Sequence, residues 1–90
     1  MKKAQLVEKI AFEADITLSE ARAALNALLC SITTALKAGD NVALVGFGTF
    51  ENRKRAARSG RNPKTGQPIH IASSHIPVFK AGKVFKDAIS

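Results

Sequence analysis

Tryptophan and tyrosine are missing from this 90-residue chain, and cysteine occurs once, at Cys30. A single thiol allows no intrachain disulfide and suits a reducing compartment better than a secreted setting. No neighbouring feature of the sequence would activate Cys30, so it reads as helix packing. His70 and His75 are separated by four residues with neither cysteine nor clustered carboxylates beside them. A zinc site takes about four ligands, so no metal is expected. Gly46-Phe47-Gly48 lacks the lysine and the spacing of a phosphate-cradling loop. No catalytic constellation is visible, and neither enzyme activity nor a cofactor is expected. No apolar run is long enough to span a bilayer, and the start of the chain does not have the form of a signal peptide. A cytoplasmic protein without membrane contact is expected. A single small domain of this length is marginal alone, and without disulfides oligomerisation is the usual remedy.

Acidic residues are missing from Asn52 to Lys86, and this absence is the most informative. Residues 1–50 carry five basic and five acidic groups, whereas residues 51–90 carry nine basic groups against Glu51 and Asp87. The entire net charge of +7 therefore lies in the second part. Charge segregated in this way is an electrostatic footprint for a polyanion.

What is present orders the elements. Leu6, Val7, Ile10, Ala11 and Ala14 recur at helical spacing and predict a first helix from about Lys3 to Ala14. Thr17-Leu18-Ser19-Glu20 has the form of a capping box. Leu18, Ala21, Leu25, Leu28, Leu29, Ile32 and Leu36 form the stripe of a second helix, and Gly39 suits its left-handed C-terminal position. Ala23, Ala27 and Cys30 on the opposite side suggest a helix sandwiched between other elements. Val42 and Leu44 then alternate, and Val45-Gly46-Phe47-Gly48 reads as a tight turn between strands, served by both glycines. Asn62-Pro63-Lys64-Thr65-Gly66 is a second turn, Ile69 and Ile71 alternate on a returning strand, and Pro77 marks an interruption. Val84, Phe85, Ala88 and Ile89 suit a short C-terminal helix. The expected class is α+β: helix, helix, a three-stranded antiparallel sheet, helix.

The hairpin between Asn52 and Ser74 stands apart. Its outgoing strand has almost no large apolar residue, so it cannot bury a face and would be marginal on its own. Ten residues per strand would reach roughly 30 Å from the body at about 3.3 Å per residue. Six basic groups between Arg53 and Lys64 make its expected ligand anionic.

Gly46-Phe47, Phe50, Arg55, Arg58, Gly60-Arg61-Asn62-Pro63-Lys64-Thr65-Gly66 and Pro77-Val78-Phe79-Lys80-Ala81-Gly82-Lys83 stand at separations that resemble the HU/integration host factor family of bacterial histone-like proteins. The similarity covers essentially the whole chain, with the HU branch the nearer. The resemblance implies an intertwined homodimer with a helical base, a saddle of sheets and two protruding β-ribbon arms that wrap double-stranded DNA. On that reading residues 1–50 hold the dimerisation base and first strands, 52–75 the DNA-binding arm, and 82–90 the C-terminal helix. On the same reading Phe47, Phe50 and Phe79 would form the dimer core. They are also a heavy aromatic load for a small sheet, at about 150–250 Å² of buried surface apiece.

The same resemblance implies minor-groove binding with little sequence preference, DNA bending and compaction, a nucleoid location, and preference for bent, nicked or mismatched duplexes. Pro63 would be the intercalating wedge: rigid, apolar and without an N–H that needs a partner. The bland reading of Asn62-Pro63-Lys64-Thr65-Gly66 is a good turn, and a turn can present a wedge. Arg53, Arg55, Arg58 and Arg61 suit a narrow, strongly negative groove. Strict alternation puts Arg53, Arg55 and Arg61 on one face and Lys54 and Arg58 on the other, unless a bulge at Ala56-Ala57 intervenes. Lys64 is assigned to phosphate near the tip, beside Asn62. Lys80, Lys83 and Lys86 would line the saddle with Lys3, although a merely solvated face explains these four equally well. A subunit of a sequence-specific heterodimer like integration host factor is the alternative within this fold. RNA, whose wide, shallow minor groove suits a paired clamp poorly, stays open as a secondary ligand.

Overall fold

The helical spacing at the start of the chain is realised as α1 (Lys3–Ala14) and α2 (Leu18–Lys37) in the computed structural model, which describes residues 1–90. Helix α1 stops because Asp15 turns left-handed at φ 55°, with the Ile16 N–H returning to the Ala11 carbonyl at 3.0 Å. The expected capping box opens α2. The Thr17 N–H donates to Glu20 Oε1 at 3.0 Å, and the Glu20 N–H donates to Thr17 Oγ1 at 3.1 Å. The backbone hydrogen bond from Thr17, helped by its hydroxyl, holds the Glu20 carboxyl below its ordinary value. At the other end Gly39 adopts φ 82°, donating to the Leu36 carbonyl while Asp40 donates to that of Ala35. This paired closure releases the chain toward the strands.

Contacts group residues 1–34 into one unit and residues 35–90 into another. In the first, Val7, Ala11, Ala21 and Leu25 form the core, with Ile10 and Ile16 against it. Much of the apolar stripe on α2 lies outside that core: Leu28 and Leu29 are each 46% exposed. Within the first unit the apolar stripe of α2 is therefore only partly covered.

The second unit has the expected three-stranded antiparallel sheet and ribbon, with the long hairpin divided so that five strands result: β1 (Val42–Leu44), β2 (Gly48–Arg55), β3 (Arg58–Arg61), β4 (Pro68–Ile71) and β5 (Ser74–Ala81), followed by α3 (Lys83–Ile89). Strands β1, β2 and β5 make one antiparallel sheet in that order, and β3 and β4 make a separate ribbon. The extra strands arise because the long hairpin breaks at Ala56-Ala57 and at Ala72-Ser73. Arg55 faces Ser74 before the break and Arg58 faces Ile71 after it, so both sides pass two residues. An equal break preserves register, and no one-residue bulge re-aims Arg58.

Two further expectations are corrected. The turn between β1 and β2 is Leu44–Phe47, closed by the Phe47 N–H to the Leu44 carbonyl at 2.9 Å with Gly46 at φ 82°. Gly48 belongs to β2, where its missing side chain makes room for Phe79. A Cβ there would lie 2.5 Å from both the Lys80 carbonyl oxygen and the Phe79 ring. Pro77 does not interrupt a strand but sits inside β5, opposite Asn52. Strand β5 is an edge strand, where a residue without an N–H is tolerated.

Pairing sorts the sheet into two faces. Val42, Leu44, Phe50 and Phe79 share one of them. Phe79 lies 4.7 Å from Phe50 and 5.4 Å from Phe47 between ring centroids, and Phe85 of α3 stacks on Phe47 at 4.5 Å. The Gly82 N–H, donated to the Phe47 carbonyl at 2.8 Å, ties the start of α3 to the turn.

Candidate nucleic-acid interface

The other face of the sheet carries Thr49, Glu51, Arg53 and Arg55 from β2, with Ser74, Ile76, Val78 and Lys80 from β5, so its charged groups are concentrated on β2 and at Lys80. Thr49 faces Lys80 directly, which sets Lys80 diagonally across from Glu51. The Glu51 carboxylate lies 3.6 Å from the Arg53 guanidinium and 3.6 Å from the Lys80 ammonium. Two of the expected DNA-binding cations thus share one acid.

Asn52 braces the root of the ribbon. Its backbone N–H donates to Asn41 Oδ1 at 3.3 Å, and its side-chain amide donates to the Leu36 carbonyl at the end of α2. Its amide oxygen is then left as the acceptor for His75 Nδ1 at 2.8 Å, which makes Nδ1 the protonated ring nitrogen. This bracket spans both strands of the hairpin where it leaves the sheet. Sequence inspection missed it, because nothing local in Asn52 or His75 announces a partner 23 residues away.

Beyond the break the ribbon is almost wholly solvent-facing. Arg58 and Gly60 share a face with Ile71 and Ile69, and Ser59 and Arg61 share the other with His70 and Pro68. Gly60 leaves space for the two isoleucines, since a Cβ would meet Ile71 Cδ1 at 3.1 Å. At the tip Asn62 organises the loop three ways. Its N–H donates to the Gln67 carbonyl at 2.8 Å, its carbonyl accepts from the Gly66 N–H at 2.7 Å, and its Oδ1 accepts from the Lys64 N–H at 2.9 Å. Gly66 supplies the required positive φ of 71°. Pro63 is thereby held exposed at the end of the ribbon, next to an exposed Lys64. No acid pairs with Arg55, Arg58, Arg61 or Lys64.

The remaining basic residues are distributed among several elements. Lys3, on α1, donates to Asn26 Oδ1 at 2.6 Å. Lys83 and Lys86 lie one helical turn apart on α3, and Lys83 is paired with Asp87 at 3.5 Å. Lys80, on β5, is separated from them by the Gly82 cap. No cluster of three or more His, Cys, Asp or Glu side chains could hold a metal, and no helix is long and apolar enough to cross a membrane.

The model of the family described as bacterial DNA-binding protein matches residues 1–90. This chain belongs to the HU/integration host factor family of bacterial DNA-binding proteins. That family is not a class of enzymes. The DNA-binding protein HU-beta of Salmonella typhimurium is 57% identical over 90 residues, covering 100% of both chains. HU-beta of Pseudomonas aeruginosa is 58% identical over the same length, again with 100% of both covered. Among solved structures, the Anabaena HU–DNA cocrystal matches with a TM-score of 0.89 at 46% identity, covering 100% of this chain and 98% of that one.

Proposed function

We propose that two copies of this chain form an intertwined homodimer that grips duplex DNA in the minor groove and bends it. One observation carries the reading: a solvent-facing ribbon of cations without acid partners ends in an exposed proline clamped by Asn62. Cations of this kind neutralise phosphates and release counterions, which supplies affinity without reading sequence. Arg53, Arg55, Arg58 and Arg61 hold the groove while Pro63 enters a base step and unstacks it, the mode used by minor-groove architectural proteins of this family. Lys3, Lys64, Lys80, Lys83 and Lys86 neutralise the flanking backbone. DNA already kinked, nicked or mismatched is preferred, because its stacking is partly lost. The protein acts in the cytoplasm on the nucleoid and compacts DNA without catalysis.

Assembly follows from the apolar surface of a single chain. Only four hydrophobic residues are buried, while Phe47 is 42% and Phe79 37% exposed. So small a core is insufficient for 90 residues without disulfides, and a second copy would cover the aromatic face and the exposed stripe of α2. Residues 1–50 then provide the base and first strands, 52–75 the arm, and 82–90 the closing helix.

The test combines sedimentation of the pure protein with titration of intact, nicked and mismatched duplexes over a salt series. A dimer at micromolar concentration, tighter binding to the damaged duplexes and a steep salt dependence are expected. A folded monomer, or random duplexes that differ a hundredfold at equal salt, would contradict the reading.

A further inference from the structure

Glu51 is the last acid before the long acid-free stretch, and it lies on the sheet's polar face rather than away from it. Its carboxylate is placed between two of the cations that this face offers to DNA, 3.6 Å from each. The side chain of Glu51 is 25% exposed, against 53% for Arg53 and 59% for Lys80. An acid that sits lower than the cations it pairs with is screened less than an open surface pair, yet leaves the outer side of both cations to solvent. The separations exceed the roughly 2.7–2.9 Å of a charge-assisted hydrogen bond. A phosphate oxygen at bonding distance would therefore be a stronger partner than the carboxylate it displaces.

We infer that Glu51 is a positioning residue that sets how strongly the sheet face competes for DNA. It acts through Arg53 and Lys80, holding both against the sheet as an ion triad of net charge +1. A phosphate that engages either cation must draw it from the shared carboxylate and approach a negative charge. The sheet face is thus weakened as a non-specific binding surface, while the arm cations beyond the break carry no such restraint. Binding is biased toward DNA that the arms can grip and against DNA merely resting on the sheet. This role rests on the DNA-clamp reading above.

The test uses full-length protein on one intact duplex. Glu51→Gln keeps the shape and removes the charge. It should bind on the order of fivefold tighter, about the strength of an exposed ion pair. It should also steepen the dependence of log affinity on log salt by about 0.9, one additional phosphate neutralised. Adding Lys80→Ala to it removes one of the two released cations and should lower the slope again by about 0.9. A brace with a purely structural role would lower the melting temperature of Glu51→Gln and weaken binding, which overturns the inference. So does an unchanged affinity and slope in Glu51→Gln while Arg61→Ala still lowers the slope, and the clamp reading then stands. Should Arg61→Ala also leave the slope untouched, both readings fail together.

Discussion

The three-stranded sheet and the ribbon that extends from it are continuous in register yet opposite in what stabilises them. The sheet has an aromatic face on which Phe79 contacts Phe47 and Phe50, and a polar face on which Glu51 restrains Arg53 and Lys80. The ribbon has Ile69 and Ile71 around Gly60 as its apolar element, and no acid for its cations. Aromatic packing and a shared ion pair support the sheet without a ligand. In the ribbon both are given up, and like charges along a two-stranded element repel until a polyanion arrives. On the proposed reading, folding stability and ligand affinity are separated along one hairpin at the break near Ala56-Ala57.

Mutations should divide at that break. The largest effect belongs to Phe79→Ala, which should cost roughly 3–5 kcal/mol if a second copy covers the ring. Its melting temperature should then depend visibly on protein concentration, since dissociation and unfolding are coupled. The arm gives the converse. Replacing Arg58, Arg61 and Lys64 with alanine should leave melting almost unchanged while lowering the salt slope by about one unit per cation. An arm variant that melts like Phe79→Ala would break the comparison.

Two glycines sharpen it further. In Gly48→Ala the new methyl meets a backbone carbonyl as well as the Phe79 ring, both at 2.5 Å, and the strain should cost about 1–3 kcal/mol in chemical denaturation. In Gly60→Ala the nearest atom is the mobile end of Ile71 at 3.1 Å, so the change should stay within about 1 kcal/mol.

The smallest effect expected is at the helix cap, outside both regions. The carboxyl of Glu20 is held below its ordinary value of 4.5, so folding favours its ionised form. Its contribution is fully present above the ordinary value and is lost as pH falls through the lower, folded one. Glu20→Gln should therefore remove a small part of the acid sensitivity of thermal unfolding, with melting nearly unaltered in shape at neutral pH. An identical pH dependence in both proteins would show that the box does not contribute there.

Residues acting on near neighbours were legible in the sequence. Thr17 and Glu20 are three apart and cap as their spacing implies, and Gly39 takes the left-handed position beside its helix. The acid-free run and the tip turn were equally local. What escaped required knowledge of the partner strand. Gly48 read as a turn residue because the Phe79 ring above it is 31 positions away, and Pro77 read as a break because its edge position depends on strand order. Glu51 showed only as a charge to be counted, since its pairing with Lys80 follows from the register of β2 on β5. A second copy was signalled by the chain's small size and its aromatic load, whereas the surfaces left for it, the aromatic face and the exposed stripe of α2, needed the fold.

The claim that the arm bends DNA through its tip is tested most directly by Pro63→Ala, with energy transfer between dyes on the ends of one duplex at saturating protein. Removing the wedge deletes no charge, so bending should fall sharply while most of the salt slope survives, and the preference for nicked or mismatched duplex should shrink. Arg61→Ala, measured alongside, should weaken binding to every duplex and lower the slope by about one unit. A Pro63→Ala protein that bends DNA as the parent does would contradict the wedge and leave Pro63 only its place in the turn.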